Sequence, residues 1–271
     1  MTMDADIPVA LEFRDIRHSF AAPPAKGRPG RVVPVIADIS LSVGAGRFTA
    51  VVGPSGCGKS TLLQFAAGLL RPSGGTVSQF GAPITGVNDR IGFVPQQAML
   101  FPWYTLRQNV ELPLLLRDVP AAERRARCDL LLRQVGLAGF EDHFPHQLSG
   151  GMQKRASIIR TLIYEPDIVL MDEPFGALDA QTRLLMHADL LRLWERRRST
   201  ILFVTHDLVE AITLADNVVL LSRRPTVVKA DFQVPLPRPR DVFEPFKMPG
   251  FTAAYEEVWR IFRTEVVDDA A

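Results

Sequence analysis

The segment Gly53-Pro54-Ser55-Gly56-Cys57-Gly58-Lys59-Ser60 fits G-x-x-x-x-G-K-[ST] with an extra glycine inside. The chemistry of such a segment is the binding of phosphate. Glycines let successive backbone N–H groups turn inward, and a helix that opens on them adds the partial positive charge of its N-terminus. An ammonium at Lys59 can reach the β- and γ-phosphates of a nucleotide, and the Ser60 hydroxyl can ligate Mg²⁺. A tight Gly-rich turn without a ligand is the bland alternative, and Lys-Ser with the right flanks argues against it. Cys57 has two readings, a small residue filling a variable slot or a redox-sensitive thiol. The slot is favoured because regulatory thiols are rare.

Two further places carry ionisable groups at the ends of apolar runs. Ile168-Val169-Leu170-Met171-Asp172-Glu173 is a strand pattern ending in two adjacent carboxylates. Neighbours on a strand point to opposite faces, but past its end both can turn toward the same edge. Asp172 is then placed to hold Mg²⁺, directly or through water, and Glu173 to orient and deprotonate an attacking water. A solvated strand end is the alternative, which the phosphate loop upstream disfavours. The second run, Ile201–Thr205, ends in His206-Asp207. A lone histidine is more often structural, but one at the end of a core strand can contact a γ-phosphate. His18, His143, His146 and His187 have no comparable context and are read as structural.

These residues need a scaffold that brings strand ends to one edge. Leu11–Phe20 reads as an opening strand, followed by a Pro-, Gly- and Arg-containing segment at Ala21–Pro34 that reads as an exposed loop between two edge strands. Strand signal returns at Val35–Val43 and Arg47–Val52, the latter the near-continuous apolar run of a buried parallel strand. A helix is expected over Ser60–Leu70, stopped by Pro72 and Gly74-Gly75. From about Gln97 to Ile163 the chain is Leu-rich and helical, at Val110–Leu116 and Ala121–Val135. Strands are then expected at Asp167–Met171, Thr200–Thr205 and Asn217–Ser222, with a helix at Gln181–Arg198. Strands alternating with helices at this spacing imply a parallel sheet covered on both faces. Pro235–Pro249 reads as irregular and Phe251–Phe262 as a short amphipathic helix.

Composition sets outer bounds. The 271 residues are 47% hydrophobic and 23% charged, which excludes disordered, collagen-like and disulfide-scaffold classes. With 31 Lys plus Arg against 30 Asp plus Glu, the net charge of +1 gives no overall pull toward nucleic acid or anionic lipid. The basic clusters at Arg124-Arg125 with Arg127, Arg196–Arg198 and Arg223-Arg224 lack interleaved aromatics and read as solvated surface. Two cysteines suit a reducing compartment. Met1–Glu12 has no basic cluster and does not read as a secretory signal, and no apolar run approaches the ~18 residues of a membrane span.

With these residues in place, Leu148-Ser149-Gly150-Gly151-Met152-Gln153 resembles the signature motif of the ATP-binding cassette ATPases. Asp179, in Gly176-Ala177-Leu178-Asp179, resembles that family's aspartate loop, Gln96 its glutamine-loop residue and Phe20 its adenine-stacking aromatic. The resemblance runs from about residue 11 to about 224 with the motifs in the family's order. It implies a P-loop NTPase (RecA-like) α/β core with an antiparallel β edge subdomain and an inserted α-helical subdomain. The expected boundaries are 1–96 with 164–240 for the core, 97–163 for the helical subdomain and 241–271 for a tail. It further implies ATP and Mg²⁺ as ligands, with Ser60, Gln96 and Asp172 around the metal and Glu173, His206 and Gln96 in the reaction. Gly53, Pro54, Ser55, Gly56, Cys57, Gly58, Lys59, Ser60 and Thr61 would hold the phosphates. In a head-to-tail homodimer, Ser149, Gly150 and Gly151 would approach the γ-phosphate bound by the partner, near Asp179.

Lys59 and Leu148 lie 89 residues apart, which leaves no room for the long coiled coil of the DNA-repair branch. One cassette without spanning helices excludes the two-cassette translation factors and the fused exporters. Met99-Leu100-Phe101-Pro102-Trp103, with Pro174–Asp179, resembles the nitrate/sulfonate/taurine group of bacterial importers. The expected setting is therefore the cytoplasmic face of the inner membrane, with integral membrane permease subunits, a periplasmic or surface solute-binding protein and no nucleic acid. A cassette acting in envelope remodelling, or on another macromolecular machine, is the alternative.

Overall fold

The computed structural model describes residues 7–21, 32–176 and 178–266. In chain order its elements are strands β1 (Val9–Ala21), β2 (Val32–Gly44) and β3 (Phe48–Val52), helix α1 (Lys59–Ala66), strands β4 (Gly74–Gln79), β5 (Ala82–Pro83) and β6 (Ile91–Val94), helices α2 (Leu106–Leu115), α3 (Ala121–Gln134) and α4 (Gly150–Leu162), strand β7 (Ile168–Asp172), helix α5 (Ala180–Arg197), strand β8 (Thr200–Thr205), helix α6 (Leu208–Leu214), strands β9 (Asn217–Leu221) and β10 (Thr226–Gln233), and helix α7 (Phe251–Val266). They fall into two compact units: the first comprises residues up to Asn88 and from Thr200 onward, the second Asp89–Ser199.

In the first unit the strands run in the order β5-β4-β1-β2-β10-β9-β3-β8. β3 lies between β8 and β9, parallel to both, and is buried along its whole length. That environment is why Phe48–Val52 is a near-continuous apolar run, broken only by the buried Thr49, rather than an alternating one. β1 pairs antiparallel with both β2 and β4, and β2 also pairs with β10. The expectation that β1 and β2 are edge strands is therefore corrected: each has a neighbour on both sides. The Pro- and Gly-rich segment 22–31 between them lies outside the described residues.

α1 closes at Ala66, four residues short of the expected Leu70, because the N–H groups of Leu69 and Leu70 both fold back onto the Gln64 carbonyl. After β10, Arg238 and Arg240 anchor the irregular segment. Arg238 pairs with Asp216 at 2.8 Å, and the buried Arg240 guanidinium donates to the Ile212 and Thr213 carbonyls at the C-terminus of α6. That cationic cap satisfies carbonyls the helix leaves without partners. α7 buries Phe251, Ala254, Val258 and Phe262 on one face. Its Glu265 accepts from the Arg223 N–H at 3.1 Å and pairs with Lys229 at 3.0 Å.

The second unit holds the parallel pair β6 and β7 together with α2 to α5. Leu106, Val110, Leu114, Cys128, Leu132, Leu137, Leu148, Ala156 and Ile159 form a dry core among the helices. α2 begins four residues before the expected Val110, since Thr105 and Gln108 close a capping box, each side chain accepting from the other's backbone N–H. Among the described residues, no helix is long and apolar enough to cross a membrane.

Candidate active site

In the first unit, β3 and β8 are parallel with Val52 opposite Thr205, so Gly53 and His206 each stand one residue past the same sheet edge. The loop 53–58 leads from β3 into α1, and Lys59 is the first residue of that helix. The Lys59 ammonium is buried and donates to the carbonyls of Gly53 at 2.8 Å and Pro54 at 3.0 Å, which places its charge over the loop. Gly58 has φ +108, and a Cβ there would stand 3.1 Å from Val35 Cγ1, so both conformation and space call for glycine. Cys57 is buried, and its Sγ lies 2.8 Å from where a Cβ on residue 53 would be. Burial pushes its thiol up, with Lys59 and Arg224 opposing. The slot-filling reading of Cys57 has this packing as its support. Ser60 is exposed and Thr61 half-buried at the opening of α1.

A cleft of about 260 Å³ beside the loop is lined by Pro54, Ser55, Gly56, Cys57, Arg223 and Arg224. Phe20, near the end of β1, is 42% exposed and stands edge-on to His18 at 4.6 Å, which in turn meets Phe65 of α1 at 5.1 Å. Phe20 is thus partly exposed among the described residues, at the end of a row of ring contacts that begins on the phosphate-loop helix. His206 is exposed, and the next residue, Asp207, caps α6 by accepting from the Glu210 N–H at 3.1 Å.

In the second unit the same logic repeats. β6 and β7 are parallel with Val94 opposite Met171, so Gln96 and Glu173 each stand two residues past one edge, with Asp172 just before. Glu173 has φ +38, a left-handed conformation that costs an L-residue of order 1–3 kcal/mol. The Gly176 N–H returns to its carbonyl at 3.2 Å. The strain turns the chain sharply at the residue read as the base. Ser149 is the N-cap of α4 and accepts from the Met152 N–H at 3.3 Å, and Gly150 and Gly151 form the first turn. A helix leaves the N–H groups of its first turn without intrahelical partners, which is the arrangement the motif's anion-binding role calls for. Asp179 caps α5, accepting from the Thr182 N–H at 2.9 Å, and these bonds hold its carboxyl below the ordinary range. Ala177 lies outside the described residues.

Two residues escaped the sequence reading. Lys154, one turn into α4, is buried and donates to the carbonyls of Pro95 at 2.6 Å and Gln96 at 2.9 Å. Burial pushes its ammonium down to about 8, with the Asp172 charge opposing. Asn109, fully buried, accepts from the Phe101 N–H at 2.7 Å and donates to the Phe101, Tyr104 and Thr105 carbonyls, each at 3.1 Å. It shapes the loop that leaves Met99 and Trp103 each 66% exposed. Leu100 is different from its neighbours: it packs against the helical core.

In the first unit Ser60 offers a hydroxyl oxygen, and in the second Gln96 and Asp172 offer an amide and a carboxylate oxygen. Oxygen donors of these kinds suit a hard cation such as Mg²⁺.

A strand running into a glycine loop, with a buried lysine opening the helix beyond, defines a P-loop NTPase. The family within that class follows from comparison. A profile described as ABC transporter matches residues 36–176. The nitrate import ATP-binding protein of Synechocystis sp. is 42% identical over 84% of this chain and 83% of its own. The aliphatic sulfonates import ATP-binding protein of Bacillus licheniformis is 41% identical over 85% and 88%. Among solved structures, a dimeric ATP-binding cassette in a post-hydrolysis state with ADP and Pi is similar with a TM-score of 0.72 and 30% identity, over 83% of this chain and 98% of that one. The chain belongs to the ABC transporter family, as an ATP-binding, ATP-hydrolysing subunit with import ATP-binding proteins among its relatives.

Proposed function

We propose that this ATPase drives uptake of a small solute through a separate membrane permease, working as a homodimer that ATP closes. The observation that carries this reading is the presence, in one chain, of two helix N-termini of different kinds, each suited to an anion. α1 opens on the glycine loop with Lys59, and α4 opens on Ser149, Gly150 and Gly151 with no cation in its first turn. The second end is suited to a phosphate already held by another copy's lysine.

In each composite site the loop amides and Lys59 hold the ATP phosphates, and Phe20 stacks on the base. Glu173 orients the attacking water and takes its proton, and His206 contacts the γ-phosphate. Ser60, Gln96 and Asp172 would hold Mg²⁺, which neutralises charge on the phosphate oxygens when bound. Asp179 stands near the partner's nucleotide. Exposed Met99, Phe101 and Trp103, on the loop that follows Gln96, form the surface for the permease, so that closure at the nucleotide is passed to the membrane. The protein would thus be peripheral, on the cytoplasmic face of the inner membrane, with a solute-binding protein completing the complex and no nucleic acid. The importer relatives named for nitrate and sulfonates support an oxyanion or sulfonate-bearing solute.

The test is to purify tagged protein from membranes in mild detergent and identify the co-purifying chains by mass spectrometry. A stoichiometric multi-span protein is expected. Recovery with a cytosolic machine or nucleic acid alone would retain the ATPase and remove the importer.

A further inference from the structure

We propose that Thr226 is a positioning residue of the phosphate loop, setting the plane of the Cys57–Gly58 peptide so that the Gly58 N–H faces a nucleoside di- or triphosphate. Thr226 is the first residue of β10 and is completely buried. Its hydroxyl donates to the Cys57 carbonyl. Among the described residues the only cis peptide bonds precede Pro225 and Pro239, so the Cys57–Gly58 peptide is trans. In a planar trans peptide the carbonyl and the following N–H point in opposite directions. A carbonyl held toward β10 therefore turns the Gly58 N–H away from β10, to the side on which α1 opens.

The hydroxyl is held on a fixed frame. Thr226 is paired with Ile36 of β2, and Ile36 and Val35 lie directly under Gly58, 3.5 and 3.1 Å from the position of a Cβ there. From the far side, Ser222 Oγ accepts from the Val227 N–H at 2.9 Å, and Glu265 of α7 holds the Arg223 N–H at 3.1 Å and the Lys229 ammonium at 3.0 Å. The turn between β9 and β10 is thus braced from two directions, and the Thr226 hydroxyl that follows it meets the carbonyl of the buried Cys57. β-branching restricts the Thr226 χ1, so the hydroxyl does not wander.

The inference rests on the reading that residues 53–61 hold the phosphates, and the experiment separates the two. ATP and ADP binding to the full chain is measured by isothermal titration for wild type, Thr226→Val, Thr226→Ser and Lys59→Ala, with thermal melts alongside. Thr226→Val is expected to weaken both nucleotides about tenfold, and Thr226→Ser to stay within about twofold of wild type. A Thr226→Val protein that melts lower but binds with the wild-type Kd would overturn the proposal, leaving the hydroxyl a purely structural role. Lys59→Ala binding as wild type would instead overturn the phosphate-loop reading. The wild type offers a check that needs no variant. The Gly58 amide is expected to exchange its hydrogen at least tenfold more slowly with ADP than without, and exchange unchanged by ADP would overturn the proposal.

Discussion

Lys154 and Glu173 show how much of this site depends on groups placed at some cost. Glu173 is held in a left-handed conformation that a non-glycine residue adopts only where its surroundings impose it. The Lys154 ammonium is taken out of water to grip two carbonyls, one of them that of Gln96. Replacing Lys154 by Met keeps the length of the side chain and removes the donors. Relief from burying a charge offsets the lost bonds, so stability should change by no more than about 2 kcal/mol. Gln96, however, loses its tether. The expected outcome is a roughly tenfold drop in kcat with ATP affinity within about threefold, read from steady-state hydrolysis and titration. An unchanged kcat would show that the tether does not matter. Lys154 was hidden in the sequence because its neighbours matched a motif, and a basic residue one turn into a helix reads as surface until a burial environment is known. Lys59, Asp172, Glu173 and His206 could be singled out for a different reason: each comes after a short apolar stretch, directly or, for Lys59, across the glycine loop, and such stretches bounded by turn signals fit buried strands.

Three helix N-termini, those of α1, α4 and α5, carry the polar residues read as nucleotide-facing, and the first turns of α4 and α5 approach each other closely. A Cβ on Gly151 of α4 would stand 2.8 Å from Thr182 Cγ2 in the first turn of α5. Gly151→Ala should therefore cost about 1–3 kcal/mol by overpacking, and Thr182→Ala should recover most of it, with a coupling of at least about 1 kcal/mol in urea denaturation. Additive costs would mean that Thr182 turns aside freely. Gly150, with nothing within 4 Å of its would-be Cβ, provides the control. At this scale the parallel strands β3, β7, β8 and β9 and most long helices could be read from sequence, whereas β4, β5, β6 and β10 could not. β4 begins on Gly74-Gly75, a pair that signals a break, and β5 is two residues long. β6 has only four residues, Ile-Gly-Phe-Val, whose glycine fits beneath Thr161 and Pro166. β10 mixes Lys229 and Asp231 among its apolar residues because it is half-exposed. Such strands owe their existence to the neighbour they pair with, which no local pattern encodes.

For the whole molecule, hydrolysis and assembly should separate in one variant. Glu173→Gln retains the shape of the side chain and loses its basicity. It is expected to bind ATP, to lower turnover by roughly 10²–10⁴-fold, and to run as a dimer in size-exclusion chromatography with light scattering when ATP is present. Near-normal turnover would place the base elsewhere. The architecture around β3 has another consequence, for the order in which the protein becomes competent. The strand that delivers the phosphate loop pairs, among the described residues, with β8 and β9 alone, and these lie about 150 residues further along the chain. A nascent chain that has emerged only as far as α5 has translated the whole glycine loop but neither of the strands that flank β3. Loop closure on that scale is slow and leaves a hydrophobic strand waiting. The nucleotide pocket is therefore among the last features completed during synthesis, so prematurely terminated chains should be taken by chaperones and proteases rather than compete for ATP.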